Sequence, residues 1–239
     1  MGTSSARKAP QKGAYWRKAK AAAAHFAAKG PESRFSVAEV AARYVLALAP
    51  LDWSDLVPAD SLPAVRRTAA GLGDFYQTWK TQGLSAALDH LGLPIRPDQT
   101  WETLIPALLE ALAGPGASLD EAVARAALLD HFAALGLLAD FSAPTSSAAP
   151  EPPLPAGDGV WHFLALALFQ RCLADLGETL EFYAPTVAAG KQRQEALKDH
   201  FLAQLNLLIP LAGEVDWWEG QPETFLQSLL ALLGSYHVR

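Results

Sequence analysis

The side chains of this 239-residue chain that carry chemistry are few and scattered. Three Asp-His neighbours stand out: Asp89-His90, Asp130-His131 and Asp199-His200. Their residue types serve elsewhere as metal ligands or acid–base pairs. Adjacent residues on a helix point about 100° apart, so no pair makes a site by itself. No His-Glu-x-x-His or Glu-x-x-His run accompanies them. They read better as polar residues on helix surfaces or as satisfied, partly buried histidines. Cys172, the single cysteine, lies in an apolar helical run, where a thiol is ordinarily buried and inert rather than nucleophilic. One cysteine also excludes an intrachain disulfide and a Cys-rich zinc site. Trp217-Trp218, flanked by Glu214, Asp216 and Glu219, would stack a base or bind a partner, but such tryptophans more often anchor a loop to the core. There is no Gly-rich phosphate loop, no Gly-x-Ser-x-Gly and no spaced carboxylate pair. No catalytic residue and no metal ligand is assigned, and the expectation is a non-enzyme.

One backbone group offers more. Position 2 is glycine, so bacterial processing would remove Met1 and expose the amine of Gly2. That amine is unhindered, and its reference pKa of roughly 7.7–8.0 leaves a useful neutral, nucleophilic fraction near pH 7. Residues 1–12 show no hydrophobic periodicity and nothing that would pack a core, so they read as a flexible arm. Arg7, Lys8 and Lys12 are followed by Tyr15 and Trp16, an interleaving that suits nucleic acid, although a solvated helix face is the ordinary reading. Met-Gly also opens a myristoylation signal, which wants Ser or Thr at position 6; this chain has Ala6.

Charge sharpens the contrast between arm and body. Residues 1–31 hold seven basic groups and no acid, leaving 12 of the 19 basic groups against all 25 acidic ones beyond them, a net of −13. A basic arm on an acidic body seeks an acidic partner, nucleic acid or the body itself, and the acidic body argues against broad nucleic-acid binding. Hydrophobic residues make up 51% of the chain and charged ones 18%, with abundant Ala and Leu that favour helix. No signal peptide is visible. The longest apolar run, residues 160–169, is too short for a bilayer, which needs about 20 residues. A cytoplasmic protein with no membrane partner is expected.

The elements behind the arm all read as helices. The first spans residues 14–29, ended by Gly30-Pro31, with Tyr15, Ala19, Ala22, Ala23 and Phe26 on one face. Ser36 and Glu39 form a capping box that opens a second, running to Ala49, with Val37, Val40, Ala41, Tyr44, Val45 and Leu48 inward. Pro50 and Pro58 bracket a loop around Trp53. Ser61 caps a third helix, with Pro63 in its first turn, running to about Gln82 and weakened at Gly71 and Gly73. A short helix over 84–91 follows, then one from about Thr100 to Ala113 that Pro106 should kink or delay. Ser118 and Glu121 cap the next, to about Leu135. Residues 142–158 carry five prolines among Ser, Ala and Gly, a semi-rigid linker between helical regions 13–141 and 159–239. Beyond it lie helices over about 160–180, 187–208 and 223–236. The second of these has Leu197, Phe201, Leu205, Leu208 and Ile209 as its apolar stripe. No run alternates long enough for a strand. The fold expected is an all-α, multi-helix bundle with a flexible N-terminal arm and a Pro-rich linker.

The start Met1-Gly2-Thr3-Ser4-Ser5, the basic segment behind it and the helical body resemble QatB, a component of the Qat anti-phage defence system. The resemblance implies a partner similar to the deazaguanine-synthesis enzyme QueC, a QatC-like enzyme, that joins a 7-deazaguanine group to the N-terminal glycine as an amide. Gly2 is then the modification acceptor, and Thr3, Ser4, Ser5, Arg7 and Lys8 are the residues the modifying enzyme recognises. An ATPase of the same system is a further implied partner. No intrinsic cofactor is expected beyond the covalent 7-deazaguanine. The competing reading is a helical adaptor that uses its basic arm, unmodified, to bind nucleic acid or a protein.

Overall fold

Ser118 and Ser36 show how local chemistry sets the helix boundaries. Ser118 Oγ accepts the Glu121 N–H at 3.1 Å, while the Glu121 carboxylate accepts the N–H of Ala117 at 2.8 Å. Ser36 Oγ accepts the Glu39 N–H at 3.2 Å, and the Glu39 carboxylate accepts the Ser36 N–H at 2.8 Å. Each arrangement satisfies first-turn donors that a helix cannot pair internally and contributes about 1 kcal/mol.

The computed structural model describes residues 13–48, 62–94, 100–137 and 152–212, with side chains through Gln204, Ala156 apart. Among them lie eight helices: α1 (Ala14–Lys29), α2 (Val37–Leu48), α3 (Pro63–Gln82), α4 (Leu84–His90), α5 (Trp101–Ala113), α6 (Leu119–Ala134), α7 (Ala156–Tyr183) and α8 (Val187–Ala212). A 3-10 turn, Gly30–Glu32, follows α1, and the described residues include no strand. The protein is all-α. No helix among the described residues is long and apolar enough to cross a membrane. The expected arm 1–12, the loop around Trp53 and the helix over 223–236 lie outside the described residues, as do residues 142–151 of the proline-rich stretch. α7 opens at Ala156, before the end of the stretch 142–158 read as linker.

The described residues form two compact units. The first comprises residues 62–167. Here α3 packs on α4, α5 and α6, and α5 on α6. Leu72, Tyr76, Leu104, Leu108, Leu128 and Phe132 are fully buried. Thr68 Oγ donates within reach of the Ala64 carbonyl at 2.8 Å and the Leu112 carbonyl at 3.1 Å, joining α3 to α5. The weakening at Gly71 and Gly73 does not break α3. A Cβ on Gly71 would lie 3.2 Å from Leu112, so this glycine serves the close approach of α5. Nor does Pro106 delay α5. It is exposed inside the helix, one turn after Glu102, an exposed residue whose carbonyl it cannot pair. The N-cap of α3 is Leu62 in a left-handed conformation, not Ser61. The first-turn N–H of Ala64 instead donates to the carboxylate of Asp120, at the start of α6.

The second unit comprises α1, α2, α7 from Leu168, and α8. α1 packs on α2 with the face Trp16, Ala19, Ala22, Ala23, Phe26 and Ala27. Trp16, edge-on to Tyr44 with ring centres 5.9 Å apart, takes the place expected for Tyr15, which is half-exposed. The expected inward residues Val37 and Leu48 are half-buried, because they end α2. Phe169 of α7 meets Phe201 of α8.

Candidate functional site

Three rings from three helices form the buried polar centre of the first unit. Tyr76 Oη on α3 lies 2.7 Å from His131 Nε2 on α6. His131 Nδ1 lies 2.8 Å from Nδ1 of His162 on α7. His131 is fully buried. A phenol donates one proton, and a neutral imidazole carries one N–H. If Tyr76 donates to Nε2, then His131 donates from Nδ1 to His162, and all three are satisfied. The opposite order would leave the buried Tyr76 hydroxyl proton without an acceptor, at a cost of about 1–3 kcal/mol. Burial, then the neighbouring His162, lowers the His131 pKa from the ordinary 6.5 to about 3. Burial raises that of Tyr76. Tyr76 and His131 are therefore neutral near pH 7. Gly159 admits it: a Cβ there would lie 2.5 Å from the Tyr76 ring.

The second unit holds a smaller centre. Asp175 Oδ2 accepts from Tyr44 Oη and from Arg171 Nε, each at 3.0 Å. Cys172, one turn before Asp175, is fully buried. Burial first, then the Asp175 carboxylate, pushes its thiol pKa up, away from nucleophilic use.

A cleft of about 490 Å³ opens in the same unit between the Gly30–Glu32 turn and the start of α8. Phe26, Pro31, Val37 and Ala196 supply apolar lining, and Arg34 and Arg193 the charge. The guanidinium carbons of Arg34 and Arg43 each lie 4.8 Å from the centre of the Phe35 ring, near enough for cation–π attraction.

Of the sequence candidates, Asp89-His90 is exposed on α4. His131 is a satisfied core histidine whose two ring nitrogens meet Tyr76 and His162. Asp199 is exposed, and His200 is half-buried with its pKa lowered by burial. Among the described residues no group of three or more His, Cys, Asp or Glu is placed to hold a metal. Gly2, Thr3, Ser4, Ser5, Arg7, Lys8 and Trp217-Trp218 lie outside the described residues. Sequence reasoning missed the joining of His131 to Tyr76 and His162. The available signal was a histidine inside the apolar run 160–169. It also missed Arg193.

These features define a class: an all-helical protein whose central buried ionisable side chains pair with one another. Residues 58–203, more than half of the chain, match the family model described as Qat anti-phage system associated protein QatB. The chain belongs to the QatB family and is a component of an anti-phage defence system. No curated protein and no solved structure matches it.

Proposed function

We propose that this protein is a non-enzymatic subunit of the Qat system whose Gly2 amine, once Met1 is removed, accepts a 7-deazaguanine group as an amide from a QueC-like partner. The observation that carries the reading is a Met1-Gly2-Thr3-Ser4 start on a chain of the QatB family. An acceptor amine must enter the modifying enzyme's active site, which favours a thin, side-chain-poor segment. Gly2 adds no side chain, and the hydroxyls of Thr3, Ser4 and Ser5 can hydrogen-bond along a narrow channel. Arg7 and Lys8 would rest on an acidic rim outside it. The amide removes the terminal charge. The partners are the QueC-like enzyme and an ATPase of the same system, in the cytoplasm. The non-enzymatic part is supported by the inert setting of Cys172 and by the hydrogen bonds that join Tyr76, His131 and His162 to one another.

The test is intact mass and N-terminal peptide sequencing after co-expression with the neighbouring QueC-like enzyme. The expected adduct sits on the Gly2 nitrogen. Gly2→Ala keeps Met1 removal and slows the reaction; a bulky residue abolishes it. An unmodified Gly2, or an adduct on Lys8 or Lys12 instead, overturns the reading.

A further inference from the structure

We infer that the cleft between the Gly30–Glu32 turn and the first turns of α8 receives an acidic peptide segment of a partner protein, with Arg193 and Arg34 as its carboxylate receptors. The inference is independent of the Gly2 reading.

Arg193 lies across the backbone of Gly30. A Cβ at Gly30 would stand 2.0 Å from its Nη2, so the turn accommodates the guanidinium only because residue 30 is glycine. The φ of +56° at Gly30 makes the same demand independently. Held there, Arg193 gives Nη1 to the Gln192 side chain at 3.2 Å. Its buried Nε has no hydrogen-bond acceptor among the described residues. A buried N–H without a partner costs about 1–3 kcal/mol. The planar guanidinium matches a carboxylate, which would pair with its terminal nitrogens from the cleft.

Other arginines of the described residues are used differently. Arg171 pairs with Asp175, Arg67 with Glu121, and Arg125 donates to the Gly114 carbonyl. Around the cleft, Arg34 and Arg43 lie against Phe35, and the buried Nε of Arg43 also has no acceptor among the described residues. The one carboxylate lining the cleft, Glu39, is engaged by the N–H and hydroxyl of Ser36. Among the described residues the lining carries two arginines against one carboxylate, and no ion pair joins Glu39 to either of them. Its apolar lining accepts an aliphatic side chain beside the carboxylate. Nucleic acid is the poorer fit. A phosphate backbone asks for a track of cations, whereas this is a short pocket in a body of net charge −13 beyond residue 31.

The probe is a fluorescein-labelled peptide, Glu-Leu-Glu-Asp-Leu-Glu, added to the full chain. Its glutamine and asparagine twin and a 12-nucleotide oligothymidine are added in parallel. Anisotropy reads binding, and the Arg Nε resonances read location. The acidic peptide should bind and move the Arg193 Nε resonance, while twin and oligonucleotide do neither. R193Q and R34Q should each weaken binding about tenfold, the effect of 1.4 kcal/mol. Arg34 is exposed, so R34Q tests the cleft even if R193Q disturbs folding. A still Arg193 resonance, equal binding by R34Q, or oligonucleotide binding in place of peptide binding overturns the inference.

Discussion

His131 and His162 face each other nitrogen to nitrogen, Nδ1 to Nδ1 at 2.8 Å, so a single proton lies between two rings that cannot both donate. Tyr76 settles which ring holds it, because its hydroxyl proton goes to the far nitrogen of His131 at 2.7 Å. Three helices of one unit are tied by this chain of rings. A second proton on His131 would make Nε2 a donor facing the hydroxyl that already donates to it, in a setting that burial makes hostile to charge.

The chain predicts a pH dependence. The His131 pKa falls from the ordinary 6.5 to about 3 on folding. Between those values the unfolded state binds the proton and the folded state does not. The stability from neutral His131 is therefore complete above 6.5 and declines as pH falls, by at most about 1.4 kcal/mol per pH unit. Urea midpoints measured at pH 7.5 and 5.5 should drop with acid in the wild type and drop less in H131Q. Equal drops would show that His131 is not the group responsible.

Two glycines of α7 predict opposite outcomes for one substitution. A Cβ on Gly159 would sit 2.5 and 2.9 Å from two ring carbons of Tyr76, which stacks on Trp79 and cannot retreat. Gly159→Ala should cost about 1–3 kcal/mol through overpacking. At Gly177 nothing among the described residues lies within 4 Å of the added carbon. Gly177→Ala should stabilise by about 0.5–1 kcal/mol through helix propensity. Denaturant unfolding of the two variants checks both signs, and a neutral Gly159→Ala would count against the close approach of α7 to Tyr76.

Cys172 predicts a silent thiol. It is fully buried, and burial with the nearby Asp175 holds it protonated. Ellman's reagent should label it at least about a thousandfold more slowly in the native protein than in 8 M urea, since even about 5 kcal/mol of stability keeps the open form that rare. Rapid labelling of native protein would contradict its place in the core.

What was legible in the sequence was local. Ser36 with Glu39, Ser118 with Glu121 and Gly30-Pro31 each announce a helix end within four residues, and the helices start or stop there. What was not legible is made by distant pairing. Ala64 is capped by Asp120, 56 residues on, so no reading of the local serines could find it. The Asp-His neighbours drew the eye because they are adjacent, yet adjacency on a helix sends side chains to different faces. His131 instead meets Tyr76 and His162, 55 and 31 residues away. The apolar run of α7 is buried on every side from Phe163 to Phe169, so it has no periodicity from which its partners could be read.

The last prediction concerns Asp175, whose Oδ2 accepts from both Tyr44 and Arg171 with only 4% of its side chain exposed. The two donors differ in kind. Tyr44 gives a neutral hydrogen bond, and Y44F should cost about 1 kcal/mol. Arg171 supplies the opposite charge, and R171M would leave a buried carboxylate with the phenol as its one donor among the described residues, at about 3 kcal/mol. Removing the charge as well should relieve that penalty. The double variant R171M/D175L should therefore be more stable than R171M, although it carries one more change. Urea unfolding of the three variants and the wild type decides the matter. A Y44F loss as large as that of R171M, or a double variant less stable than R171M, would show that the carboxylate is stabilised from elsewhere.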